Sequence, residues 1–463
     1  MLTRQQVLDL LKQQFIDPTK PQREHFAGIE MEFPLVNLAG SRVDFTVIHS
    51  LTDHFMREFD FERVALDNHG NTFSVRCPKT ADILSYDCSY NNLEFSFGRV
   101  RNLWQVQRRF LDYLSFIQAE LRRKGHCLTG MGINPHRLVN LHQPIPTGRY
   151  RMLYHHLSSA AHLQLPRYLH HYYDYGMFCS ASQVQLDVDY EQLVTTLRTQ
   201  NLLEPLKAVL FSNSVFSDKG VDYLCGRDML WEQSMQGYNT HNVGCYEQLP
   251  ATIDELLEYL ASLSIYCTER SGNYLNFLPV PITEFFAQNS ISAEYPALGG
   301  YARLDFTPDV CDLPYLRTYK LTDLTFRGTI EYRSCCCQPM RDALTVAAFH
   351  VGLAGPEQMQ RVDTLLTDDD VLYGHGFTHS ELRHLLVRRN WPNFVEREGL
   401  RQLLYAVLDI AHSGLTQRGM GEESLLNALY ERAEALENPA QQMIRLKAQG
   451  FSSESLIQTF AAV

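Results

Sequence analysis

Apolar and charged residues alternate at a period of two in several widely separated stretches. Only an extended strand sends neighbouring side chains to opposite faces, so this pattern limits the fold more than any other feature of the chain. Near the start the chain reads Ala27-Gly28-Ile29-Glu30-Met31-Glu32-Phe33, and far downstream Gly328-Thr329-Ile330-Glu331-Tyr332-Arg333-Ser334. In the first stretch Ala27, Ile29, Met31 and Phe33 share one face, while Glu30 and Glu32 share the other. In the second, Ile330 and Tyr332 oppose Glu331 and Arg333. The same grammar recurs at residues 72–77, 92–97 and 182–188. There Arg76 opposes Phe73, Val75 and Cys77, and Glu94 opposes Leu93, Phe95 and Phe97. Gln183, Gln185 and Asp187 oppose Val184, Leu186 and Val188. Joined in one antiparallel sheet, these strands predict an apolar face for packing and a polar face that gathers Glu, Gln, Asp and Arg.

A merely solvated face favours Lys, Thr and Ser with mixed charges. These segments contain no Lys, and their glutamates are joined by arginine in the last strand. Carboxylates side by side on a rigid sheet suit a hard cation such as Mg²⁺, and a neighbouring Arg suits phosphate. The set points to nucleotide phosphate held by cations between carboxylates, with arginine on the transferring group. Other nucleotide machinery is missing. There is no GxxxxGK[ST] loop and no GxSxG elbow, and Gly130-Met131-Gly132-Ile133-Asn134-Pro135 lacks the third Gly of a dinucleotide fingerprint.

At 463 residues the chain is long enough for two or three structural units. Its net charge of -12 argues against a nucleic-acid partner. The 11 cysteines are odd in number and show no CxxC spacing, and no secretory signal precedes them. A reducing cytoplasmic location with free thiols is expected. No apolar run is long enough to cross a membrane. The N-terminus reads as an amphipathic helix, with Thr3 and Gln6 at capping-box spacing. Further helices are expected at 103–124, 190–199 and 253–263, the last behind Thr252 and Glu255. From about residue 340 helical spacing takes over, with Thr378 and Glu381 as another cap and an apolar helix at 394–410. The expected class is α+β, with a catalytic region over residues 1–340 and a helical region over 341–463 packed on it. Cys335-Cys336-Cys337 reads as buried thiols, because adjacent strand residues point to opposite faces. The histidine pairs at 155–156 and 170–171 read as surface or supporting groups, and Lys320 as solvated.

In order and spacing these motifs resemble those of glutamate–cysteine ligases, especially the plant-like and bacterial branch. The resemblance covers the 28–33 strand and the polar strand at 183–187. It continues through Ser212-Asn213-Ser214-Val215-Phe216, followed by Arg227 and Trp231, to Ile330-Glu331-Tyr332-Arg333. It implies a glutamine-synthetase-like fold, an antiparallel sheet curved into a half-barrel with helices outside. It implies an ADP-forming carboxylate–amine ligase in glutathione biosynthesis that joins the glutamate γ-carboxylate to the amine of cysteine through a γ-glutamyl phosphate. ATP and Mg²⁺ are the implied cofactors, and the partners are small molecules. By position, Glu30, Glu32, Glu94 and Glu331 would be Mg²⁺ ligands. Gln183 and Gln185 would lie on the nucleotide side, Arg333 on the γ-phosphate, and Arg227 on substrate or phosphate. Arg76 and Arg151 are further candidates. Loops 86–92 and 220–226 are candidate lids that would keep water from the acyl phosphate. Two departures stand out. Val215 occupies a position where the family usually has Pro, and Ser334 with three cysteines stands where many relatives have an acidic residue. They leave open a different amine acceptor, or a silent binding protein on the same fold.

Overall fold

The computed structural model describes residues 1–163 and 168–463. With strands numbered in chain order, nine of them build one antiparallel sheet. They are β1 (Ala27–Asn37), β2 (Glu62–Leu66), β3 (Thr72–Arg76), β4 (Ile83–Tyr86), β5 (Asn92–Val100), β6 (His126–Leu128), β7 (Ser182–Asp187), β16 (Thr322–Leu324) and β17 (Thr329–Tyr332). The order across the sheet is β16-β17-β7-β1-β5-β4-β3-β2, with β6 pairing the far end of β1. The two strands that share the same grammar, β1 and β17, therefore flank β7. A second antiparallel sheet comprises β11 (Ser264–Arg270), β12 (Asn273–Pro281), β13 (Ile291–Ala297) and β14 (Gly300–Phe306). Alternation does not single out this second sheet, because Pro279, Pro281 and Pro296 fall within its strands, where proline is depleted. Two short pairs complete the strands: β8 (Phe216–Asp218) with β9 (Val221–Tyr223), and β10 (Val243–Gly244) with β15 (Tyr319–Lys320).

The apolar face of the nine-stranded sheet is the main core. Ile29, Met31, Phe33, Phe95, Val184, Leu186, Ile330 and Tyr332 are all buried there. Helix Leu103–Arg122 covers β1 and β5. Its Phe110 ring stacks 5.6 Å from Phe33 and meets Phe95 edge-on at 5.6 Å, geometries that add to plain area burial. Helix Thr345–Leu353 is buried along its whole length and lies against β7, with His350 stacked 4.4 Å from Tyr332. Helix Arg397–Arg418 packs against it in turn.

Local chemistry sets the helix ends. Thr3 with Gln6 and Thr378 with Glu381 form reciprocal capping boxes as their spacing predicts. Thr252 accepts from the Glu255 N–H at 3.1 Å, but the Glu255 carboxylate turns to the Ala251 N–H at 2.7 Å, so this box is only half formed. The helix expected from 394 starts at Arg397, because the Glu396 carboxylate caps the Glu398 and Gly399 N–H groups. It runs past 410 to Arg418 and stops at Gly419, whose φ is +65°. The segment expected as a helix from 190 opens as a 3-10 turn, Tyr190–Gln192, before helix Leu193–Leu202. None of the helices among the described residues is long and apolar enough to cross a membrane.

Two tertiary links position the site. The first is a buried ionic cluster on helix His379–Leu386. Arg383, 2% exposed, donates from Nε to Asp228 Oδ2 at 2.7 Å and from Nη1 to Glu204 Oε2 at 2.8 Å. Glu204 Oε1 also accepts from Lys207 Nζ at 2.5 Å and from Thr322 Oγ1 of β16 at 3.0 Å. The second link holds the β16–β17 turn. Phe326 packs on Phe15 at 4.6 Å between ring centroids. Gly328 has φ +67°, and a Cβ there would lie 2.2 Å from the Pro18 carbonyl oxygen. Gly328→Ala is expected to destabilise the protein by more than about 1 kcal/mol, read as a lower urea midpoint, since both backbone strain and a main-chain clash oppose it.

Candidate functional site

Strand register turns the alternation into a surface. Glu32 on β1 sits opposite Glu94 on β5, which sits opposite Ser85 on β4, which sits opposite Ser74 on β3. Glu30 lies between Gln183 on β7 and Ser96 on β5. Gln185 on β7 faces Glu331 on β17, and Glu331 faces Asp323 on β16. Directly opposed side chains stand about 4.5–5.5 Å apart at Cβ, so these rows form a nearly continuous acidic face. The face lines a cavity of about 630 Å³, a size typical of small-molecule sites.

All eight residues expected at the site from the alternation and the family resemblance line this cavity: Glu30, Glu32, Glu94, Glu331, Gln183, Gln185, Arg227 and Arg333. Arg76 and Arg151 do not. Arg76 is exposed at the end of β3, and Arg151 is exposed on helix Gly148–Ser158. Seven charged residues that alternation did not find join the set: Asp87, Arg149, Asp228, Glu232, Arg317, Asp323 and Arg327. Asp323 lies on a three-residue strand, too short to display a period. Arg149 sits in the first turn of a helix behind the Thr147 cap, and that cap was the available signal.

The carboxylates are crowded, Glu32 and Glu331 buried and Glu30 and Glu94 half-buried. Glu32, 7% exposed, accepts from the Ala181 N–H at 2.8 Å and from Gln183 Nε2 at 3.0 Å. Burial, then the charges of Asp87 and Glu94, push its carboxyl up to about 8. Burial and Asp87 push Glu94 up to about 7, although Ser96 Oγ donates to it at 2.6 Å. Glu30 is raised well above the ordinary range by burial and by Glu94, Glu331 and Glu32. Burial pushes Asp323 up to about 6. Opposite them, Arg227 donates to the Cys335 carbonyl at 3.2 Å, and Arg333 pairs with Glu331. Arg227 Nε and Arg333 Nε have no hydrogen-bond partner among the described residues, so both guanidinium groups keep donor capacity. Trp231 stacks on Tyr319 at 4.4 Å and forms an apolar part of the wall.

A hard divalent cation fits this donor set. Carboxylates forced together on one cavity wall are protonated or repel one another, and a cation relieves both effects. Among the described residues no three acidic, His or Cys side chains form a ready-made cage. Mg²⁺ sites commonly complete their coordination with several waters and substrate phosphates beside one or two carboxylates.

Several expectations are corrected. Loop 86–92 is not a lid: Tyr86, Cys88, Ser89, Tyr90, Asn91 and Asn92 are buried, and Tyr86, Asp87 and Cys88 form part of the cavity wall. Asn91 Nδ2 donates to the Leu141 carbonyl and Asn92 Nδ2 to the Cys179 carbonyl. Residues 220–226 form part of the β8–β9 hairpin and its exit, and they do not line the cavity. Lys320 is not solvated. Its Nζ donates to the carbonyls of Val243 at 2.7 Å and Cys245 at 2.5 Å, and burial lowers it to about 8. Of the two roles expected for the histidine pairs, His156 and His170 are buried and so not surface groups, the latter with Nε2 2.6 Å from the Leu230 carbonyl. Cys335, Cys336 and Cys337 are buried free thiols, as expected, and lie outside the cavity wall.

No family model matches the chain. It is 24% identical over 368 residues to a chloroplastic glutamate–cysteine ligase of Brassica juncea, covering 76% of this chain and 65% of that protein. It is 22% identical over 446 residues to the chloroplastic glutamate–cysteine ligase B of Oryza sativa subsp. japonica, covering 92% and 81%. The chain thus spans about two thirds to four fifths of the length of these relatives. Among solved structures, a glutamate–cysteine ligase from Francisella tularensis in complex with AMP aligns over 96% of this chain and 88% of its own. That alignment has a TM-score of 0.47 and 12% identity. The sequence likeness is to the glutamate–cysteine ligases, the family that the motifs resemble.

Proposed function

We propose that this chain is an ATP-dependent glutamate–cysteine ligase that uses Mg²⁺. The observation that carries the reading is the convergence, in one cavity, of an acidic face from β1, β5 and β17 with Arg227 and Arg333. The likeness to ligases of that name supports the choice of amino acids.

Glu30, Glu32, Glu94 and Glu331 would hold the cation, which when bound neutralises phosphate charge. The chain's own residues do the rest. Arg333 and Arg227, both lining the cavity, would bind the transferring phosphoryl group, where charge is spread over three oxygens. Arg149, exposed in the first turn of its helix and lining the cavity, is placed to bind a substrate carboxylate. Attack of the glutamate γ-carboxylate on the γ-phosphorus of ATP breaks the bond to ADP and gives γ-glutamyl phosphate. Attack by the amine of cysteine on the acyl carbon then expels phosphate, and the amine releases its proton. The Trp231–Tyr319 wall limits water at the acyl carbon.

The three cysteines after Ser334 raised the alternative of another amine. All three are buried and lie outside the cavity wall, and the acceptor is decided by the choice of amine in turnover. ADP release with ATP, glutamate and a panel of amines tests the proposal directly. Cysteine is expected to give the highest kcat/KM. Turnover with another amine and none with cysteine would transfer the activity to that amine, and no turnover with any would sink the ligase reading.

A further inference from the structure

Gln185 is surrounded in a way that leaves its amide only one orientation. Nε2 lies 3.3 Å from Glu30 Oε1 and 3.2 Å from Glu331 Oε1, both acceptors. Oε1 lies 2.5 Å from Arg327 Nη2, a donor. Turning the amide end for end would set its NH₂ group against a guanidinium and its carbonyl against two carboxylates. Glu30 and Glu331 come from strands that do not touch each other, since β7 runs between β1 and β17. Gln185 is thus a neutral bridge between two acids on different strands.

Arg327 is itself fixed in place, although its side chain is exposed. It occupies the β16–β17 turn between Phe326, packed on Phe15, and Gly328, pressed against Pro18. The turn is closed by the Gly328 N–H donating to the Thr325 carbonyl at 3.0 Å. The guanidinium is therefore presented to Gln185 from an anchored frame.

We propose that Gln185 is a positioning residue, held in one orientation by Arg327, that sets the separation of Glu30 and Glu331 and so the affinity of the site for a divalent cation. This rests on the reading of those two glutamates as cation ligands. It assigns Gln185 to ordering the acids, not to contact with nucleotide, and gives Arg327 a role that acts through Gln185.

The sign of the effect separates this from a simple charge effect. Arg327 is positive, so as a bystander it repels a cation, and its removal would tighten binding. As the group that orients Gln185, its removal should weaken binding. The test is the dissociation constant of Mn²⁺ for the nucleotide-free protein, followed by electron paramagnetic resonance, beside the KM for divalent cation and kcat. Arg327→Met and Gln185→Leu are each expected to weaken Mn²⁺ about tenfold and raise the cation KM more than they lower kcat. Arg327→Lys should recover most of the affinity. In the double variant the losses should not add, because the two residues act as one unit. Gln185→Met and Arg327→Gln serve as second variants if either first choice fails to fold by circular dichroism. Unchanged or tighter Mn²⁺ binding in Arg327→Met overturns the proposal, as do additive losses in the double variant. Wild-type protein that binds no Mn²⁺ is a different failure: it removes the cation reading itself.

Discussion

Glu32→Gln is expected to lower ADP formation by on the order of 10²–10³-fold, while leaving the cation-free protein at least as stable as the wild type. The two halves of this expectation have one cause. Glu32 is buried among Asp87 and Glu94, and its carboxyl is pushed up to about 8. Near neutral pH, without cations, it is mostly protonated, and glutamine has the shape and charge of that form. The amide oxygen can still accept from the Ala181 N–H, and Gln183 can turn its own amide to face the new NH₂ group. Turnover has no such tolerance, because a cation must displace the proton and bind a carboxylate. The pH dependence of stability follows. A carboxyl whose folded value lies above its unfolded value of about 4.3 keeps a proton that the unfolded chain releases. Its contribution is therefore most favourable at low pH and declines as pH rises to about 8. Cation-free wild type should lose stability across that window, and Glu32→Gln should lose less. Mn²⁺ should restore more of the loss in wild type than in the variant. Thermal midpoints at several pH values, with and without Mn²⁺, measure all of this. A variant that unfolds at every pH, or that turns over normally, would contradict the assignment.

Arg383→Met should cost about 3–5 kcal/mol of stability, the largest loss expected from a single substitution away from the cavity. Removing the guanidinium leaves the carboxylates of Glu204 and Asp228 buried, with Lys207 still paired to Glu204 but the Asp228 ion pair lost. It also removes donors to two carbonyls, those of Glu204 and Ser334. The urea midpoint at constant slope reads the loss. Turnover of the folded fraction should also fall, since Ser334 directly follows Arg333 and loses the contact that fixes its carbonyl. A midpoint within about 1 kcal/mol of wild type would mean that the cluster relaxes or admits water.

Much of the site could be read from alternation because its core lies on strands. Glu30, Glu32, Glu94 and Glu331 were placed on one face by period alone, and the antiparallel pairing then brought them together. What period could not give was order across the sheet. Nothing in the local pattern says that β7 separates β1 from β17, and the bridging place of Gln185 depends on that. Residues delivered by other elements were missed for the same reason. Asp87 comes from a buried loop, Arg149 from a helix and Asp323 from a very short strand. That loop 86–92 is buried wall and not a lid was not legible either, because Asn91 donates to Ser89 and the Leu141 carbonyl, and Asn92 to the Cys179 carbonyl, in place of water. Lys320 defeated a composition rule in the same way, two backbone carbonyls taking the place of water.

The packing of Phe15 on Phe326 and of Pro18 on Gly328 makes the amino-terminal segment part of the frame that holds Arg327. The large sheet is therefore not a portable module. Cutting the chain after residue 20, or exchanging its first helix for that of a relative, would leave the acidic strands intact in sequence but without the brace at one end. Transplanting the site into another scaffold would require carrying this distant segment along with the residues that line the cavity.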